Sequence, residues 1–155
     1  MIKKLRPWML AGAVLTADRI TKVLAVKIPP EGIPLIPGVI ALRYTENTGA
    51  AFSILSGYPW LLGLVSLVVI AGAFWYLRGK KIRPLMMTGL MMMLGGAASN
   101  MLDRFFTGYV PDMIEPLFVQ FAVFNVADMF LCIGCGLVAL SLLLDVHDEN
   151  SEIGE

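Results

Sequence analysis

Long apolar stretches dominate the pattern of this chain, and charged residues are confined to short clusters within or between them. A helix needs about 20 mostly apolar residues to cross the hydrocarbon core of a bilayer. Three stretches of this kind are continuous. A fourth is interrupted by Asp18 and Arg19. The pattern predicts a mainly α-helical membrane protein with four transmembrane helices. Their predicted bounds are residues 7–26, 60–77, 85–102 and 121–144.

The connection between the first two predicted spans is too long for a simple linker, and it carries a strand pattern. Residues 39–45 and 50–55 are mostly apolar and flank the turn sequence Glu46-Asn47-Thr48-Gly49. Two such segments around a short turn are typical of a β-hairpin. We therefore expect a small hairpin-based sheet within an outer β region of about residues 28–58.

Lysine and arginine beside the spans predict the orientation of the chain. Short loops rich in these residues face the cytoplasm, so both termini are predicted to be cytoplasmic. The outer β region and a second outer loop, residues 103–120, then lie on the opposite side of the membrane. Gly108, Pro111 and Pro116 interrupt helical structure in that loop. The residues that carry this argument are Lys3, Lys4, Arg6, Arg78, Lys80, Lys81 and Arg83.

The first apolar stretch could also be a signal peptide, because Lys3, Lys4 and Arg6 precede a short apolar run. However, Leu15-Thr16-Ala17 is a poor cleavage site, and the apolar pattern resumes at Ile20. We therefore interpret the stretch as a retained span.

Composition supports a membrane protein and limits its partners. Hydrophobic residues make up 57% of the 155 residues, and the mean hydropathy is +0.76, whereas a soluble domain is about 45–50% apolar. Residues 1–155 are interpreted as a single integral membrane domain in contact with membrane lipids, and a monomer is expected. Twelve basic and twelve acidic side chains balance, so no nucleic-acid partner is predicted.

Ionisable residues are costly inside a membrane, so each is a candidate for function. Four aspartates lie in or near the outer ends of the spans: Asp18, Asp103, Asp112 and Asp128. Asp18 can pair with Lys22 one helical turn later, which indicates a supporting role. Asp103 adjoins Arg104 and shares a helix face with Asn100, so we expect Arg104 to neutralise Asp103.

Asp112 and Asp128 differ because residues 105–155 contain no lysine or arginine. Asn125 lies one turn before Asp128 on the same face. Two carboxylates close together in a poorly hydrated place share a proton, because both cannot ionise easily. Such a pair can activate water and protonate a peptide carbonyl, which is aspartyl-protease chemistry. A proton or cation pathway and simple helix-packing hydrogen bonds are the alternatives from the residues alone.

The sequence argues against several other chemistries. Its only histidine, His147, lies in an acidic tail and away from the other candidate residues. A histidine-ligated metal site or a Ser-His triad would therefore have no suitably placed histidine. Cys132 and Cys135 lie in an apolar run, where a thiolate is costly. We therefore expect no metal and no cofactor. A relay of protons across the bilayer is disfavoured, because the middles of the second and third predicted spans contain no ionisable residue.

Five ordered motifs resemble those of the lipoprotein signal peptidases, also called signal peptidase II, which are bacterial intramembrane aspartyl proteases. The similarity runs through nearly the whole chain. The motifs are Asp18-Arg19-Ile20-Thr21-Lys22, the segment Asn47-Thr48-Gly49-Ala50-Ala51-Phe52-Ser53, residues 95–104 (GGAASNMLDR), Val110-Pro111-Asp112, and Phe124-Asn125-Val126-Ala127-Asp128.

The resemblance implies that Asp112 and Asp128 form the catalytic pair of an endopeptidase. It implies that the substrate is a diacylglyceryl-modified prolipoprotein, cut just before the lipidated lipobox cysteine, in a bacterial cytoplasmic (inner) membrane with the active site near the outer surface. Grooves between spans would hold the lipid and the signal helix. The positions implied to support the site or bind substrate are Asp18, Lys22, Asn47, Gly49, Asn100, Asp103, Arg104 and Asn125.

Three positions depart from the family's pattern. Arg19 stands where Gln is usual, Ser99 where Gly is usual, and Pro111 where an apolar residue precedes the catalytic Asp. Ser99 is still small, so little effect is expected there. Pro111 removes a backbone donor beside Asp112 and restricts its own φ, which could shift that carboxylate. A non-catalytic scaffold that binds lipidated partners would keep the same motifs and stays an alternative.

Overall fold

A computed structural model describes the backbone of residues 2–50 and 54–153, and side chains from 6 to 50 and 54 to 145. Four helices and three strands make up this part of the chain. Their order is α1 (Ile2–Ala25), β1 (Ile33–Ile36), β2 (Ile40–Asn47), α2 (Pro59–Leu77), α3 (Pro84–Phe106), β3 (Val110–Pro116) and α4 (Val126–Ile153).

Three of the helices are long and apolar enough to cross a membrane: α2, α3 and the segment Val126–Asp145 of α4. They confirm three of the predicted spans. Proline at the first position starts both α2 and α3, where its restricted φ suits a helix and its missing N–H costs nothing. The first predicted span is a continuous helix, α1, but its charged residues set it apart from the other three.

The start of α4 differs from the predicted position. Residues 121–125 are apolar enough to extend a span, but the helix begins at Val126. Phe124 instead forms a β-bridge with Ile114, and the Asn125 side chain accepts from the backbone N–H of Asp128. Asn125 therefore caps the helix, which explains why the apolar run and the helix do not start together.

Helix α3 lies at the centre and packs against the other three helices. Glycines allow these close approaches. A Cβ added to Gly95 would lie 2.5 Å from the Ala11 carbonyl oxygen of α1, and one added to Gly96 would lie 2.6 Å from the Ala127 carbonyl oxygen of α4. Helix α1 also contacts α2 through stacked rings of Trp8 and Phe74, with centroids 4.8 Å apart.

Gly134 and Gly136 of α4 allow a matched test of this packing. A Cβ at Gly134 would lie 2.6 Å from the Gly89 carbonyl oxygen of α3, whereas one at Gly136 would meet nothing within 4 Å. Gly134→Ala is expected to lower the free energy of unfolding by about 1–3 kcal/mol through overpacking. Gly136→Ala should raise it slightly, by at most about 1 kcal/mol, because alanine favours a helix. Unfolding in detergent measures both, and equal effects would contradict the packing.

The three strands form one antiparallel sheet in the order β1-β2-β3. The predicted hairpin is wrong in its second strand. Strand β2 pairs with β1 before it and β3 far along the chain, while Ala50 is in a bend and residues 54–57 form a turn. Leu55 has φ of 58°, which is incompatible with extended structure. Residues 51–53 of that predicted strand lie outside the described part.

Strand β3 lies in the segment predicted to be the second outer loop. Pro111 and Pro116 exclude a helix there, but they are tolerated near strand ends where few ladder bonds are needed. In the sheet Pro111 pairs with Glu46, and Asp112 pairs with Thr45. The pairing brings Asp112 beside the end of β2, and the Ile114–Phe124 bridge brings it beside the start of α4.

Candidate active site

Asp112 is held at the buried end of β3 by two asparagines. The residue is 2% exposed. Asn47, the last residue of β2, donates from Nδ2 to Asp112 Oδ2 at 2.9 Å. Asn125 donates from Nδ2 to Asp112 Oδ1 at 2.6 Å. Each carboxylate oxygen therefore has a fixed amide donor, which restrains the orientation of the carboxyl group.

Asp128 is held within the first turn of α4 by a capping box. Its backbone N–H donates to Asn125 Oδ1 at 3.0 Å, and the backbone N–H of Asn125 donates to Asp128 Oδ2 at 3.2 Å. This reciprocal pattern satisfies two backbone donors that a helix start leaves unpaired. Asn100 of α3 donates from Nδ2 to the other oxygen, Oδ1, at 2.8 Å.

Asn125 connects the two carboxylates. Its Oδ1 accepts from the Asp128 backbone, so its Nδ2 is directed to Asp112 Oδ1 and, at 3.3 Å, to Asn100 Oδ1. Asn100 in turn donates to Asp128. Asp112 on β3 and Asp128 on α4, which were expected to meet near the outer surface, share one amide network and line one cavity.

The pKa of Asp112 is raised from 3.8 to about 6, and burial of the carboxyl is the main cause. The negative charge of Asp128 contributes to this rise, while hydrogen bonds from Asn47 and Asn125 and the charge of Lys22 oppose it. Because folding raises this pKa, the contribution of Asp112 to stability is greatest below pH 3.8 and declines as pH rises to about 6. The protonated form of this carboxyl is therefore accessible in mildly acidic solution.

A buried ion cluster supports the carboxylate pair from α1. Lys22, 2% exposed, donates from Nζ to Asp18 Oδ2 at 2.6 Å and to Asp103 Oδ2 at 2.7 Å. Its third contact is Asn100 Oδ1 at 2.7 Å. These three acceptors match the three N–H donors of an ammonium group. The contact with Asn100 also directs the amide nitrogen of Asn100 toward Asp128.

Asp18 links three helices. The predicted pairing with Lys22 is confirmed. The hydroxyl of Ser99 on α3 donates to Asp18 Oδ2 at 2.6 Å, and the backbone N–H of Ala127 at the start of α4 donates to Asp18 Oδ1 at 2.8 Å. Ser99, a departure from the family's pattern, therefore adds a buried hydrogen bond where a glycine could not.

The expected pairing of Asp103 with Arg104 is wrong. Asp103 is 1% exposed and pairs with Arg19 and Lys22 of α1. Adjacent residues on a helix point in directions about 100° apart, so one faces α1 and the other faces the cavity. The positions of Arg19 and Lys22, three residues apart on one helix face, could have indicated that both reach the same partner.

The Arg104 side chain instead binds the turn that follows β2. Its guanidinium donates to the Gly49 carbonyl oxygen at 3.1 Å and to the Asn100 carbonyl oxygen at 3.4 Å. Gly49 also donates its N–H to Asn47 Oδ1 at 2.9 Å, which is an Asx-type turn. Gly49 is thus held on both sides, and this turn forms one wall beside Asp112.

A cavity of about 490 Å³ opens at this network. Its polar end contains Asn47, Asn100, Arg104, Asp112 and Asp128, all predicted for the site. Its apolar lining residues were not named from the sequence, although the i, i+3, i+4 spacing after Asp128 is a signal for one helix face. The apolar lining residues are Ala50, Val110, Phe121, Ala122, Val123, Phe124, Met129, Leu131, Cys132 and Ile133. Among the described residues no group of three or more His, Cys, Asp or Glu could hold a metal ion.

The chain is similar to curated lipoprotein signal peptidases over most of its length. The chain is 41% identical to the lipoprotein signal peptidase of Thermosynechococcus vestitus over 133 residues, which cover 82% of this chain and 84% of the relative. It is 37% identical to the lipoprotein signal peptidase of Bacillus subtilis, over 94% of this chain and 97% of the relative.

Two solved structures share the fold, and both are described as bacterial membrane enzymes. The first has a TM-score of 0.85 at 27% identity and covers 92% of this chain and 90% of its own. The second has a TM-score of 0.80 at 26% identity, with 89% and 92% covered. A family model described as Signal peptidase (SPase) II matches residues 10–144. The chain therefore belongs to the signal peptidase II family.

Proposed function

We propose that this protein is an aspartyl endopeptidase that removes the signal peptide from diacylglyceryl-modified prolipoproteins, cutting before the lipidated cysteine. The relatives are named lipoprotein signal peptidase, which supports the substrate class. The observation that carries the proposed chemistry is that Asp112 and Asp128 line one cavity and are joined through Asn125 and Asn100.

The proposed reaction uses water and one shared proton. The ionised carboxylate removes a proton from water as the oxygen attacks the carbonyl carbon of the peptide bond. The protonated carboxyl donates its proton to the carbonyl oxygen, forming a neutral tetrahedral diol. As the diol collapses, one of its hydroxyl groups returns a proton to the ionised carboxylate, the C–N bond breaks, and the leaving nitrogen takes the proton held by the other carboxyl, so the pair again holds one proton. Neither a metal nor a covalent intermediate is required.

The surrounding residues have distinct proposed tasks. Asn47, Asn100 and Asn125 orient the carboxylates through their amide groups. Lys22, Asp18 and Asp103 hold α1, α3 and the start of α4 together. Arg104 and Gly49 shape the turn after β2, beside which the extended part of the substrate would lie.

The proposed setting is a bacterial cytoplasmic membrane, with α1 as a fourth span. Burial of Asp18 and Lys22 against α3 and α4 supports this, because it removes these charges from lipid. Both termini would be cytoplasmic and the site would lie near the outer surface, as a monomer without cofactor. The described ionisable residues inside the bundle lie at one end, which favours chemistry near a surface over a transport path.

The substrate assignment is tested with the purified protein in detergent or lipid. A diacylglyceryl-modified prolipoprotein is expected to be cleaved, with mass spectrometry placing the new N-terminus at the modified cysteine. The same prolipoprotein without the lipid is the matched control and should be cleaved far more slowly. Binding of the lipidated protein without any cleavage would instead support the scaffold function. Equal cleavage of both proteins would show that the enzyme does not recognise the lipid.

The pH dependence of cleavage is predicted from Asp112. The value of kcat/KM is expected to fall as pH rises past about 6, because the shared proton is lost there. Asn47→Ala removes a donor that favours the ionised form, so the midpoint should move to higher pH. Thr48→Ala, at the exposed neighbouring position, should leave the midpoint in place. A midpoint unmoved by Asn47→Ala would contradict the role of Asp112 in this titration.

A further inference from the structure

A second groove lies along α2, away from the carboxylate pair. It has a volume of about 510 Å³, and its lining residues are Leu67, Ile70, Ala71, Phe74, Trp75 and Arg78. These positions follow the i, i+3, i+4 spacing of one helix face. The connection from α2 to α3 lies at the end of α3 opposite Asn100 and Asp103. The groove is therefore in the half of α2 that is farther from the candidate active site.

Arg78 is the only charged residue that lines this groove. The residue is exposed, and it has no ion-pair partner among the side chains that the structure describes. Asp145 of α4, which lies at the same end of the bundle, is paired with Arg83 at 2.6 Å. The guanidinium of Arg78 is therefore available to an anionic group at the end of the groove.

The length of the groove matches one leaflet of a bilayer. Leu67 and Arg78 are eleven residues apart, which is about 16 Å along a helix that rises 1.5 Å per residue. Half of a hydrocarbon core of about 30 Å is about 15 Å. Arg78 thus lies at the polar boundary when Leu67 lies near the middle of the membrane. Trp75, which is 77% exposed, lies near that boundary, where tryptophan is enriched.

We propose that this groove binds one phospholipid with an anionic headgroup, whose phosphate contacts Arg78 and whose acyl chain lies along α2 toward Leu67. A guanidinium suits this role because its planar donors match the oxygens of a phosphate. The bound lipid is separate from the substrate and is not cleaved. In the proposed orientation of the chain it belongs to the cytoplasmic leaflet.

A second copy of this chain fits the groove less well than a lipid. A two-fold contact uses the same surface on both copies, so a contact between parallel copies through this face would place two Arg78 side chains near each other. That like-charge contact is unfavourable, whereas an anionic headgroup supplies the opposite charge. The charge at the end of the groove therefore favours an anionic lipid.

Trp75 provides a fluorescent probe inside the groove. The chain has three tryptophans, so Trp8→Phe combined with Trp60→Phe leaves Trp75 alone and keeps an aromatic ring at position 8 against Phe74. The protein is placed in phosphatidylcholine vesicles that contain either phosphatidylglycerol or phosphatidylcholine with brominated acyl chains, because bromine quenches a nearby indole. Brominated phosphatidylglycerol is expected to associate about fivefold more strongly at Trp75. Equal quenching by the two lipids overturns the proposal.

Arg78 and Lys80 separate binding in the groove from general attraction to a basic loop. Lys80 Nζ lies 3.8 Å from the ring centroid of Tyr76, and Tyr76 is about 200° around the helix from Arg78. In the background with Trp75 alone, Arg78→Gln should abolish the preference for phosphatidylglycerol, whereas Lys80→Gln should keep most of it. Equal losses in the two variants would show attraction to the loop as a whole and overturn the site.

Filling the groove tests the position of the acyl chain. Ala71→Phe places a ring in the groove and should reduce quenching of Trp75 by brominated phosphatidylglycerol. Val69→Phe is the matched control, because Val69 is exposed and about 200° around the helix from Ala71. Equal quenching in both variants contradicts the proposed position. Quenching by both lipids that falls as the ratio of protein to lipid rises would assign the groove to a second copy and overturn the lipid proposal.

Discussion

Replacing either Asp112 or Asp128 with Asn should reduce the rate of cleavage by about 1,000-fold or more, because general acid–base catalysis contributes about 10²–10⁴-fold. Asn has the shape of Asp but can neither remove a proton from water nor donate one from a carboxyl group. Each substitution also removes the shared proton on which the pair depends. Single-turnover cleavage of the lipidated prolipoprotein measures the chemical step.

Structural damage must be separated from lost chemistry in these variants. The two carboxylate oxygens of Asp128 accept hydrogen bonds from the Asn100 side chain and the Asn125 backbone N–H. An Asn side chain has only one oxygen, so Asp128→Asn can keep only one of these two bonds. Binding of the lipidated substrate and the unfolding midpoint should therefore be measured alongside the rate. Asp145→Asn is the matched control on α4, because Asp145 pairs with Arg83 at the opposite end of the bundle. Substantial cleavage by a folded Asp112→Asn or Asp128→Asn variant would show that the substituted aspartate is not catalytic.

Lys22→Met is expected to lower the free energy of unfolding by about 3–5 kcal/mol, the usual effect of removing one partner from a buried ion pair. Asp18 is 0% exposed and Asp103 is 1% exposed, so neither carboxylate can be compensated by water. Arg19 still pairs with Asp103, whereas Asp18 would keep only the hydroxyl of Ser99 and the N–H of Ala127. Unfolding in detergent measures the loss.

Two further variants show whether charge is the cause. Arg43→Met removes an exposed pair with Glu115, which should cost no more than about 1 kcal/mol. Asp18→Asn combined with Lys22→Met removes the uncompensated charge, so the double variant should be more stable than Lys22→Met alone. If the double variant is no more stable, the effect of Lys22 comes from packing and not from its charge.

The Lys22 variant should also lose activity in the molecules that remain folded. Without Lys22, Asn100 Oδ1 keeps only the longer bond from Asn125. The amide of Asn100 is then free to turn away from Asp128. The pKa of Asp112 should rise as well, because the charge of Lys22 opposes the rise caused by burial. The alkaline limit of kcat/KM should therefore move to higher pH.

Proton sharing and helix stability depend on the same residues at this site. Asn125 caps α4 with its side chain while donating to Asp112. Asp18 accepts from the first turn of α4 while neutralising Lys22. A change at either residue is therefore expected to alter stability and activity together.

The sequence by itself determined the elements that depend on local composition. Long apolar runs must be helical in lipid because every backbone polar group needs an internal partner, and this identified α2, α3 and α4. The absence of lysine and arginine after Arg104 singled out Asp112 and Asp128. The pairing of Asp18 with Lys22 followed from their i, i+4 spacing.

Only the tertiary structure decided which distant residues meet. Strand β2 pairs with β1 on one edge and with the distant β3 on the other, because strand pairing depends on which edge lies alongside and not only on proximity in the chain. Asp103 pairs with α1 and not with its neighbour Arg104, since adjacent residues on a helix face different partners. The apolar part of the cavity exists only where α4 lies beside the segment that precedes it. Such contacts depend on how helices and strands pack, which no local pattern in the sequence specifies.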